Sequence, residues 1–290
     1  MITMGNAIAV FATMKTVRRA IDVLMCFSHE EPELSIGDIS RRLGIHKSVV
    51  SRLVTTLCAK RMLQKDLKTR RVSIGVGAFT LGALFIKRVP LEQYAAAHLS
   101  RLVETVEHSC HVAVLDGHRL LTIASAETRK ALRVILRTGE YRYLHATAGG
   151  KLLLALHPGL LEAVADSTGF PAITTKTITS LARLRKELAG IRDAGFAWNF
   201  EESTRGAGAC AAPIFDASGQ VAGVITAVYP LSAVSKTDFA AISDKTREAG
   251  RLISASMGWQ PDLRRNGVSS IAAAHVVPST RSRTHQRVEA

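Results

Sequence analysis

The stretch SIGDISRRLGIHKSVVSRLV, residues 35–54, limits the possible folds of this chain more than any other part of it. Apolar side chains recur at helical spacing on both sides of Gly44, which predicts two short helices joined by a tight turn. Ser35 and Asp38 have the spacing of a capping box at the start of the first helix. Gly44 suits the left-handed position that ends a helix. Two helices joined in this way are typical of a helix-turn-helix motif.

The second of these helices is expected to begin near His46 or Lys47 and to bury a stripe that starts at Val50. Its opposite side is polar and cationic, as in a helix that contacts phosphates and base edges in the major groove of DNA. A solvated helix face is the alternative, because every helix-turn-helix needs a polar exterior. Arg41 and Arg42 are either phosphate contacts or ion-pair partners. The predicted DNA-binding residues here are Ser35, Arg41, Arg42, His46, Lys47, Ser48, Ser51 and Arg52.

Residues on both sides of this motif extend it to a winged helix-turn-helix. An amphipathic helix is predicted over residues 16–27, and residues 61–75 alternate between apolar and polar, turn, and alternate again. That pattern predicts a β-hairpin, or wing, with DNA-contacting cations at its tip, namely Lys68, Arg70 and Arg71. The predicted domain spans residues 16–75. Residues 1–15 are apolar without a basic start, so we expect a loose leader and not a signal peptide.

The charge distribution agrees with a DNA-binding N-terminal domain. The whole chain has a formal net charge of +14, and residues 1–75 hold 13 Lys and Arg against 6 Asp and Glu. Half of the positive excess therefore lies in the first quarter of the chain, where it favours a polyanionic partner. A general solubility charge is the alternative explanation.

Cysteine spacing and hydropathy bear on the location of the protein. Its four cysteines are far apart and form no C-x-x-C pair, which favours a reduced, cytoplasmic protein. No apolar run reaches the roughly 18 residues that a membrane-spanning helix needs, so we expect no membrane contact.

The remainder of the chain predicts a linker, a second domain and a tail. Residues 76–88 are apolar around most of a helix, so we expect a linker helix over 76–90 that packs against another subunit. Residues 91–261 predict, in order, a helix over 91–108, a hairpin turning at Asp116-Gly117, a strand over 131–137, several helices, a hairpin turning at 216–219 and a final helix. This order indicates an α+β domain with a mainly antiparallel sheet. Residues 262–290 lack periodicity and are expected to form a disordered basic tail.

Taken together, these motifs resemble the IclR family of bacterial transcriptional regulators. The resemblance runs from Thr16 to Gly258 and rests on separated motifs in one order: VRRAIDVL, ISRRLGIHKSVVSRLVTTL, KDLKTRRVSIG, LHATAGGKLLLA and GFAWNFEESTRGAGACAAPIFDASGQVAGVITA. It implies a winged helix-turn-helix DNA-binding domain, a linker helix that dimerises and a GAF-like effector domain. It also implies assembly as a dimer, or as a tetramer of two dimers.

The resemblance further implies an effector cavity on one face of the sheet. The corresponding positions are Asn199, Ala209, Thr226 and Val228, with His145, Thr147 and Ala148 at the entrance. Some family members have Asp, Cys and two Ser at the first four positions and bind small carboxylates through several hydrogen bonds. Because only Asn199 and Thr226 of these four are polar here, we expect a larger or less polar effector, such as an aromatic acid. A small, filled or vestigial cavity is the alternative.

The sequence predicts no catalytic residue, cofactor or metal. Glu201 and Glu202 are adjacent, so their carboxylates are expected to diverge and to have a structural role in a turn. The run HSCH, residues 108–111, is too compressed for a tetrahedral metal site. The HATAGGK segment lacks the first Gly and the final Ser or Thr of a phosphate-binding loop.

These observations predict a cytoplasmic, ligand-responsive transcriptional regulator. A homodimer or tetramer would bind a pseudo-palindromic operator in double-stranded DNA, and a small organic effector would change the relative pose of the DNA-binding domains through residues 76–88. Two other classes of protein are retained. A small-molecule enzyme with a basic N-terminal module would need a reactive pair of side chains in the cavity. A non-specific DNA-coating protein would bind every sequence without a response to ligand.

Overall fold

The computed structural model describes residues 4–88, 90–135 and 137–260 of the chain. Its N-terminal part is a winged helix-turn-helix, as predicted, with the elements α1 (Met4–Leu24), β1 (Glu33–Leu34), α2 (Ile36–Leu43), α3 (Lys47–Ala59), β2 (Leu63–Lys65) and β3 (Val72–Ile74). One buried apolar cluster holds the three helices and the wing together. It comprises Val23, Leu34, Ile39, Val50, Leu53, Val54, Leu63 and Val72.

The caps that the sequence predicts around α2 are present. The Ser35 hydroxyl accepts a hydrogen bond from the Asp38 amide at 3.1 Å, and the Asp38 carboxylate accepts one from the Ser35 amide at 3.0 Å. Gly44 ends the helix with a φ of 62°, a left-handed conformation that costs glycine little. Together these caps fix the angle at which α3 leaves the turn.

Two features of this domain differ from the predictions. Helix α1 begins at Met4, so residues 4–15 are helical and the predicted loose leader is wrong for them. The sequence from Met4 to Leu24 has no proline to stop the helix. Once one turn of a helix has formed, extending it by a residue adds a hydrogen bond without a further nucleation cost. In addition, the short strand β1, which the sequence did not predict, pairs with β3 through Leu34 and Val72 and makes the wing a three-stranded sheet.

The C-terminal domain, residues 90–260, is an α+β fold, as predicted. Helix α4 (Val76–Arg88) precedes it. The domain begins with α5 (Pro90–Val106), β4 (Ser109–Asp116), β5 (Arg119–Ala126), β6 (Tyr141–Tyr143), α6 (Ala148–Leu156), α7 (Leu160–Ser167), α8 (Leu181–Ala194), β7 (Ala197–Phe200) and β8 (Ala207–Phe215). Strand β9 (Val221–Pro230) and helix α9 (Asp238–Ser256) complete it. The six strands form one sheet in the order β6-β5-β4-β9-β8-β7, with every neighbouring pair antiparallel.

Helices cover both faces of this sheet. Alternate residues of a strand point to opposite faces, and on β9 Val224 packs with the cluster under α6, α7 and α8. Its neighbour Ile225 packs with the cluster under α5 and α9. Thr226 again follows the direction of Val224, so it lies on the face that α6 covers.

Residues 131–135 and 137 do not form the strand that the alternation in this stretch predicts. The edge of β5 that such a strand would use is already taken. Gly139 and Glu140 exchange backbone hydrogen bonds with Thr122 at 2.7 and 3.1 Å, and β6 pairs with β5 immediately afterwards.

The predicted tail over 262–290 lies outside the described residues, as does residue 261. Within the described parts of the chain, no helix has the length and hydropathy to cross a membrane.

Candidate functional site

The N-terminal half of α3 presents two cations to solvent. Lys47 and Arg52 are both exposed, and within the described residues neither side chain has a hydrogen bond or ion pair. Val50, Leu53 and Val54 are buried on the opposite side and hold the helix against the domain core. Ser51 lies half-buried between the two sides. The helix therefore leaves two cationic side chains free to meet a polyanion.

Three of the predicted DNA-binding residues are engaged in capping. Ser35 caps α2, as described above. His46 caps α3: its Nδ1 accepts a hydrogen bond from the Ser48 amide at 3.3 Å and lies 2.8 Å from the Ser48 hydroxyl. Side chains that cap a helix shape its first turn, so Ser35, His46 and Ser48 position α2 and α3.

Arg41 and Arg42 differ in their surroundings. The Arg42 guanidinium donates to the Cys26 carbonyl oxygen at 2.8 Å and forms an ion pair with Glu31, which ties α2 to the end of α1. The structure thus places Arg42 in the ion-pair role that the sequence left open. The Arg41 side chain is 81% exposed, and its ion pair with Asp38 is long, at 3.6 Å between Nη2 and Oδ1. Because an exposed pair of this kind is weak, Arg41 is available for a phosphate contact.

The wing has a rigid, cationic turn. The Asp66 carboxylate accepts hydrogen bonds from the backbone amides of Lys68 and Thr69, both at 2.7 Å, and these bonds lower the pKa of Asp66. Arg70 follows with a φ of 60° and an exposed side chain. Arg71, in contrast, donates to the Glu33 carbonyl oxygen at 2.9 Å and so braces the base of the wing.

A cavity lies between α6 and the sheet in the C-terminal domain. Six of the seven predicted effector residues line it: Thr147, Ala148, Asn199, Ala209, Thr226 and Val228. Strands β7, β8 and β9 carry Asn199, Ala209 and Val228 at mutually paired positions, which explains why residues distant in sequence meet there. The cavity measures about 50 Å³, so in this state it has room for only a few atoms.

His145, the seventh predicted residue, does not line the cavity. Its side chain is fully buried, its Nε2 lies 2.9 Å from the Pro171 carbonyl oxygen, and its ring packs edge-on against Phe170. The residue therefore braces the segment before α6. Thr147 is the N-cap of α6, where its hydroxyl accepts from the Gly150 amide at 3.1 Å.

Two glycines allow close packing around the start of α6: Gly149 faces the sheet, and Gly150 faces the segment that precedes the helix. A Cβ on Gly149 would lie 2.8 Å from Val224 Cγ2, and one on Gly150 would lie 2.2 Å from the Leu144 carbonyl oxygen. Neither position has space for a larger side chain. Gly149 therefore brings the start of α6 close to the sheet at the cavity, and Gly150 lets the preceding segment pack against the helix.

The cavity wall is more polar than the sequence predicted. Asn199 and Thr226 are the polar members of the four positions that the resemblance implied, and His111 on β4, Arg142 on β6 and the loop residues Ser203 and Thr204 line the cavity as well. His111 Nδ1 and Thr226 Oγ1 are both buried, and neither has a hydrogen-bond partner in the described structure. Burial, together with the nearby charge of Arg142, lowers the pKa of His111 to about 4. His111 is therefore neutral at pH 7.

A buried ion pair joins α6 to the loop that lines the cavity. Lys151 on α6 is 1% exposed, and its Nζ lies 2.7 Å from Glu202 Oε1 and 3.0 Å from Glu187 Oε1. Asn199 fixes the same loop, because its amide donates to the Ala146 carbonyl oxygen at 2.7 Å and its oxygen accepts from the Glu202 amide. These contacts hold the loop that carries Ser203 and Thr204 against α6.

The two adjacent glutamates diverge, as the sequence predicted. Glu201 forms an ion pair with Lys176 and accepts a hydrogen bond from the Gly206 amide at 2.8 Å, whereas Glu202 faces Lys151. Both thus have structural partners. Among the described residues, no group of three His, Cys, Asp or Glu side chains is arranged to hold a metal ion.

Comparison with known families and proteins matches both parts of the chain. Residues 16–67 match the model of the IclR helix-turn-helix domain, and residues 83–255 match that of the bacterial transcriptional regulator IclR C-terminal domain. The HTH-type transcriptional regulator BhcR of Paracoccus denitrificans is 32% identical over 86% of this chain and 89% of its own length. The HTH-type transcriptional regulator XynR of Escherichia coli K12 is 26% identical over 85% of this chain and 98% of its own length.

Solved structures agree with these matches. An IclR transcriptional regulator from Silicibacter sp. TM1040 is 27% identical, with a TM-score of 0.72 over 84% of this chain and 96% of that one. An IclR homologue from Microbacterium hydrocarbonoxydans, solved in complex with 4-hydroxybenzoate, shares the fold with a TM-score of 0.74 at 24% identity over 83% of this chain and 98% of that one.

Proposed function

The chain belongs to the IclR family of helix-turn-helix transcriptional regulators, and we propose that it binds an operator through α3 and the wing under the control of an organic acid held in the C-terminal cavity. The exposed and unpartnered cations Lys47 and Arg52 carry the DNA-binding part of this proposal. Such side chains at the start of a recognition helix can contact phosphates and guanine edges. Because the chromosomal DNA of bacteria is in the cytoplasm, a protein that binds an operator is expected in that compartment.

Exposed apolar side chains on α1 and α4 support assembly into a dimer. On α1 they recur along one face at Met14, Val17 and Ile21, Met25 follows directly after the helix, and on α4 Phe79 is 73% exposed. A stripe of this kind on a monomer marks an interaction surface. A second copy with the same stripe would cover it and place two copies of α3 on the half-sites of a pseudo-palindromic operator. A tetramer would combine two such dimers.

The cavity supports an organic acid as the effector. Arg142 supplies a positive charge at its wall, and the start of α6 adds backbone amides and the positive end of a helix dipole. The Microbacterium homologue of the same fold holds 4-hydroxybenzoate, which is an organic acid. In the present state the cavity is too small for an aromatic ring, so an acid of that size requires its walls to move apart.

Movement of the cavity wall can reach the DNA-binding domain by two routes. Val134 lines the cavity, and four residues later the Thr138 carbonyl oxygen lies 3.1 Å from His29 Nε2, while Arg137 forms an ion pair with Glu30. Helix α4 supplies the second route. The start of this helix is held to the segment between α3 and β2, where the Gly75 and Gly77 amides donate hydrogen bonds to the Met62 and Arg61 carbonyl oxygens at 2.9 and 2.8 Å. Effector binding would shift the population of DNA-domain poses through these contacts.

Selection of binding sites from a random DNA pool tests the proposal. The purified full-length protein should enrich an inverted repeat whose half-sites lie about one helical turn apart, and its affinity for this repeat should exceed that for scrambled DNA at least about 1,000-fold. Adding organic acids should change that affinity. Enrichment of no motif, with equal binding to all duplexes, would instead favour the non-specific DNA-coating class. Chemical turnover of an added acid would favour the enzyme class.

A further inference from the structure

Two buried polar side chains lie on the same face of neighbouring strands in the cavity wall. His111 on β4 and Thr226 on β9 are direct partners in the antiparallel register, so their side chains point to the same face. Both side chains are more than nine-tenths buried, and His111 Nδ1 and Thr226 Oγ1 have no hydrogen-bond partner in the described structure. Because unsatisfied buried polar groups are costly, a ligand that supplies the missing partner binds more tightly than one that does not.

The chemistry of the pair specifies which group that partner is. Neutral imidazole offers one N–H donor and one lone pair, and a threonine hydroxyl both donates and accepts. A ligand hydroxyl can donate to one of these side chains while it accepts from the other. A hydroxyl can satisfy His111 Nδ1 whether that nitrogen carries the proton or the lone pair, whereas a carboxylate, which only accepts, satisfies it in the Nδ1–H tautomer alone, and a C–H group forms neither hydrogen bond. The pair therefore suits a hydroxyl.

Arg142 supplies the complementary site for a carboxylate. It lines the same cavity from β6, and it is near enough to His111 to lower the pKa of that side chain. Its own partner is Glu140, at 2.9 Å between Nη2 and Oε1, and both side chains are about one-third exposed. A surface ion pair of this kind contributes little to stability, so a ligand carboxylate can replace Glu140 and form a two-point contact with the guanidinium.

We propose that the effector is a hydroxy acid whose carboxylate pairs with Arg142 and whose hydroxyl group bonds to His111 and Thr226. This assignment rests on the proposed function, because it names the ligand class of the same cavity. It also accounts for the apolar Ala209 and Val228. Polar recognition in this chain lies on β4, β6 and the middle of β9, so β8 and the end of β9 need only enclose the ligand.

Matched acids that differ by one hydroxyl test the assignment. Titration calorimetry of the full-length protein would compare glycolate with acetate, and 4-hydroxybenzoate with benzoate. In at least one pair, the hydroxy acid should bind at least tenfold more tightly than its partner. Because the two pairs differ in size, the comparison measures recognition of the hydroxyl however far the cavity opens.

Three variants separate the two contacts. Thr226→Val keeps the side-chain shape and removes the hydroxyl, and His111→Phe removes both ring nitrogens; each should reduce the preference for the hydroxy acid to less than threefold. Arg142→Gln should weaken both members of a pair at least tenfold and leave their ratio unchanged. Arg133→Gln is the matched control, since Arg133 pairs with the exposed Glu127 outside the cavity and should change neither value. A thermal melt confirms that each variant is folded.

The outcomes distinguish this inference from the proposed function. Tenfold discrimination that disappears in Thr226→Val supports the assignment. Two results would overturn the assignment and leave the proposed function standing, provided that the acids bind and change DNA affinity. In the first, both members of each pair bind with equal strength. In the second, discrimination is intact in both Thr226→Val and Arg142→Gln. If no acid binds the wild-type protein or changes its DNA affinity, the effector part of the proposed function fails as well.

Discussion

Lys151 carries a positive charge into the interior of the C-terminal domain, where its only described partners are two glutamates. Its side chain is 1% exposed and that of Glu202 is 10% exposed. Within an intact buried ion pair, the attraction between the charges offsets much of the free energy that each charge loses on leaving water. When one partner is removed, the other charge stays buried without that compensation. The pair thus stabilises the loop between β7 and β8 only as long as it is intact.

Replacing Lys151 alone should therefore be far more harmful than replacing both partners. Lys151→Met is expected to lower the free energy of unfolding by about 3–5 kcal/mol, because it leaves the Glu202 charge buried without compensation. Lys151→Met combined with Glu202→Met should recover most of this loss. Urea unfolding followed by circular dichroism measures both. The control is Lys245→Met, which breaks an exposed pair with Glu248 and should cost less than about 1 kcal/mol.

His111 makes the stability of the fold depend on pH. Burial lowers its pKa from 6.5 to about 4, so below pH 6.5 the unfolded chain takes up a proton that the folded chain does not. The contribution of this residue is present above pH 6.5 and is lost as the pH falls towards 4. The loss between pH 7.5 and pH 5 is about 2 kcal/mol.

His111→Phe should remove this part of the pH dependence. The free energy of unfolding of the variant is expected to fall by about 2 kcal/mol less than that of the wild type over the same interval. Parallel slopes for the two proteins in urea unfolding across this interval would contradict the shifted pKa.

At the scale of single elements, recognition by α3 is expected to depend on its first half. Lys47→Ala with Arg52→Ala removes the two free cations and should weaken operator binding by one to two orders of magnitude. If each cation neutralises one phosphate, the slope of log K against log salt concentration should become shallower by about 1.8. Fluorescence anisotropy at several salt concentrations gives both values.

Lys60→Ala provides the matched control for this experiment. Lys60 is exposed at the other end of the same helix, so its replacement removes a positive charge without touching the first half of α3. Its effect on affinity should be much smaller. An equal loss from Lys60→Ala would mean that overall charge, and not the start of α3, determines binding.

The elements that the sequence predicted correctly are those determined by short-range interactions. The capping box at Ser35, the turn at Gly44 and the hairpin at Gly117 each depend on residues within a few positions, and all three are present. The strand predicted over 131–137 does not form at 131–135 or 137, because pairing depends on which edge is free and residues 139–143 occupy the edge of β5. Alternation alone contains no information about that competition.

The same distinction applies to the cavity. The resemblance to a family identified six of its lining residues on α6, β7, β8 and β9, yet it missed His111 and Arg142. These two lie on β4 and β6, early in the domain, and only the strand order brings them beside β9. A motif search along the chain has no signal for a contact that the sheet creates. His145 was misplaced for the converse reason, since its neighbours in sequence line the cavity while its own ring turns towards Phe170.

At the scale of the whole molecule, the dimer is expected to depend on the apolar face of α4. Phe79→Asp places a charge where a second copy would bury an aromatic ring, and it should convert the protein to monomers at micromolar concentration. Analytical ultracentrifugation measures the change. Ile173→Asp is the control, because Ile173 is also an exposed apolar residue but lies in the C-terminal domain, between α7 and α8. A variant that remains dimeric would exclude this face as the principal interface.

Communication between the cavity and the DNA-binding domain is expected to depend on the ion pair between Arg137 and Glu30. Both domains contribute one partner, and the segment that carries Arg137 also lines the cavity through Val134. Arg137→Glu should leave the affinity for the acid nearly unchanged, because the side chain does not line the cavity. The change in operator affinity caused by the acid should shrink, from the roughly 5- to 150-fold typical of coupled sites to less than about threefold.

The reversed pair decides whether the ion pair itself transmits the effect. Arg137→Glu with Glu30→Arg restores opposite charges at the same two positions, so coupling should return to near its wild-type value. Arg133→Glu alters an arginine of the same segment that pairs within its own domain, and its coupling should remain intact. If coupling persists in Arg137→Glu alone, the route through α4 is sufficient, since its anchoring to Arg61 and Met62 is independent of this contact.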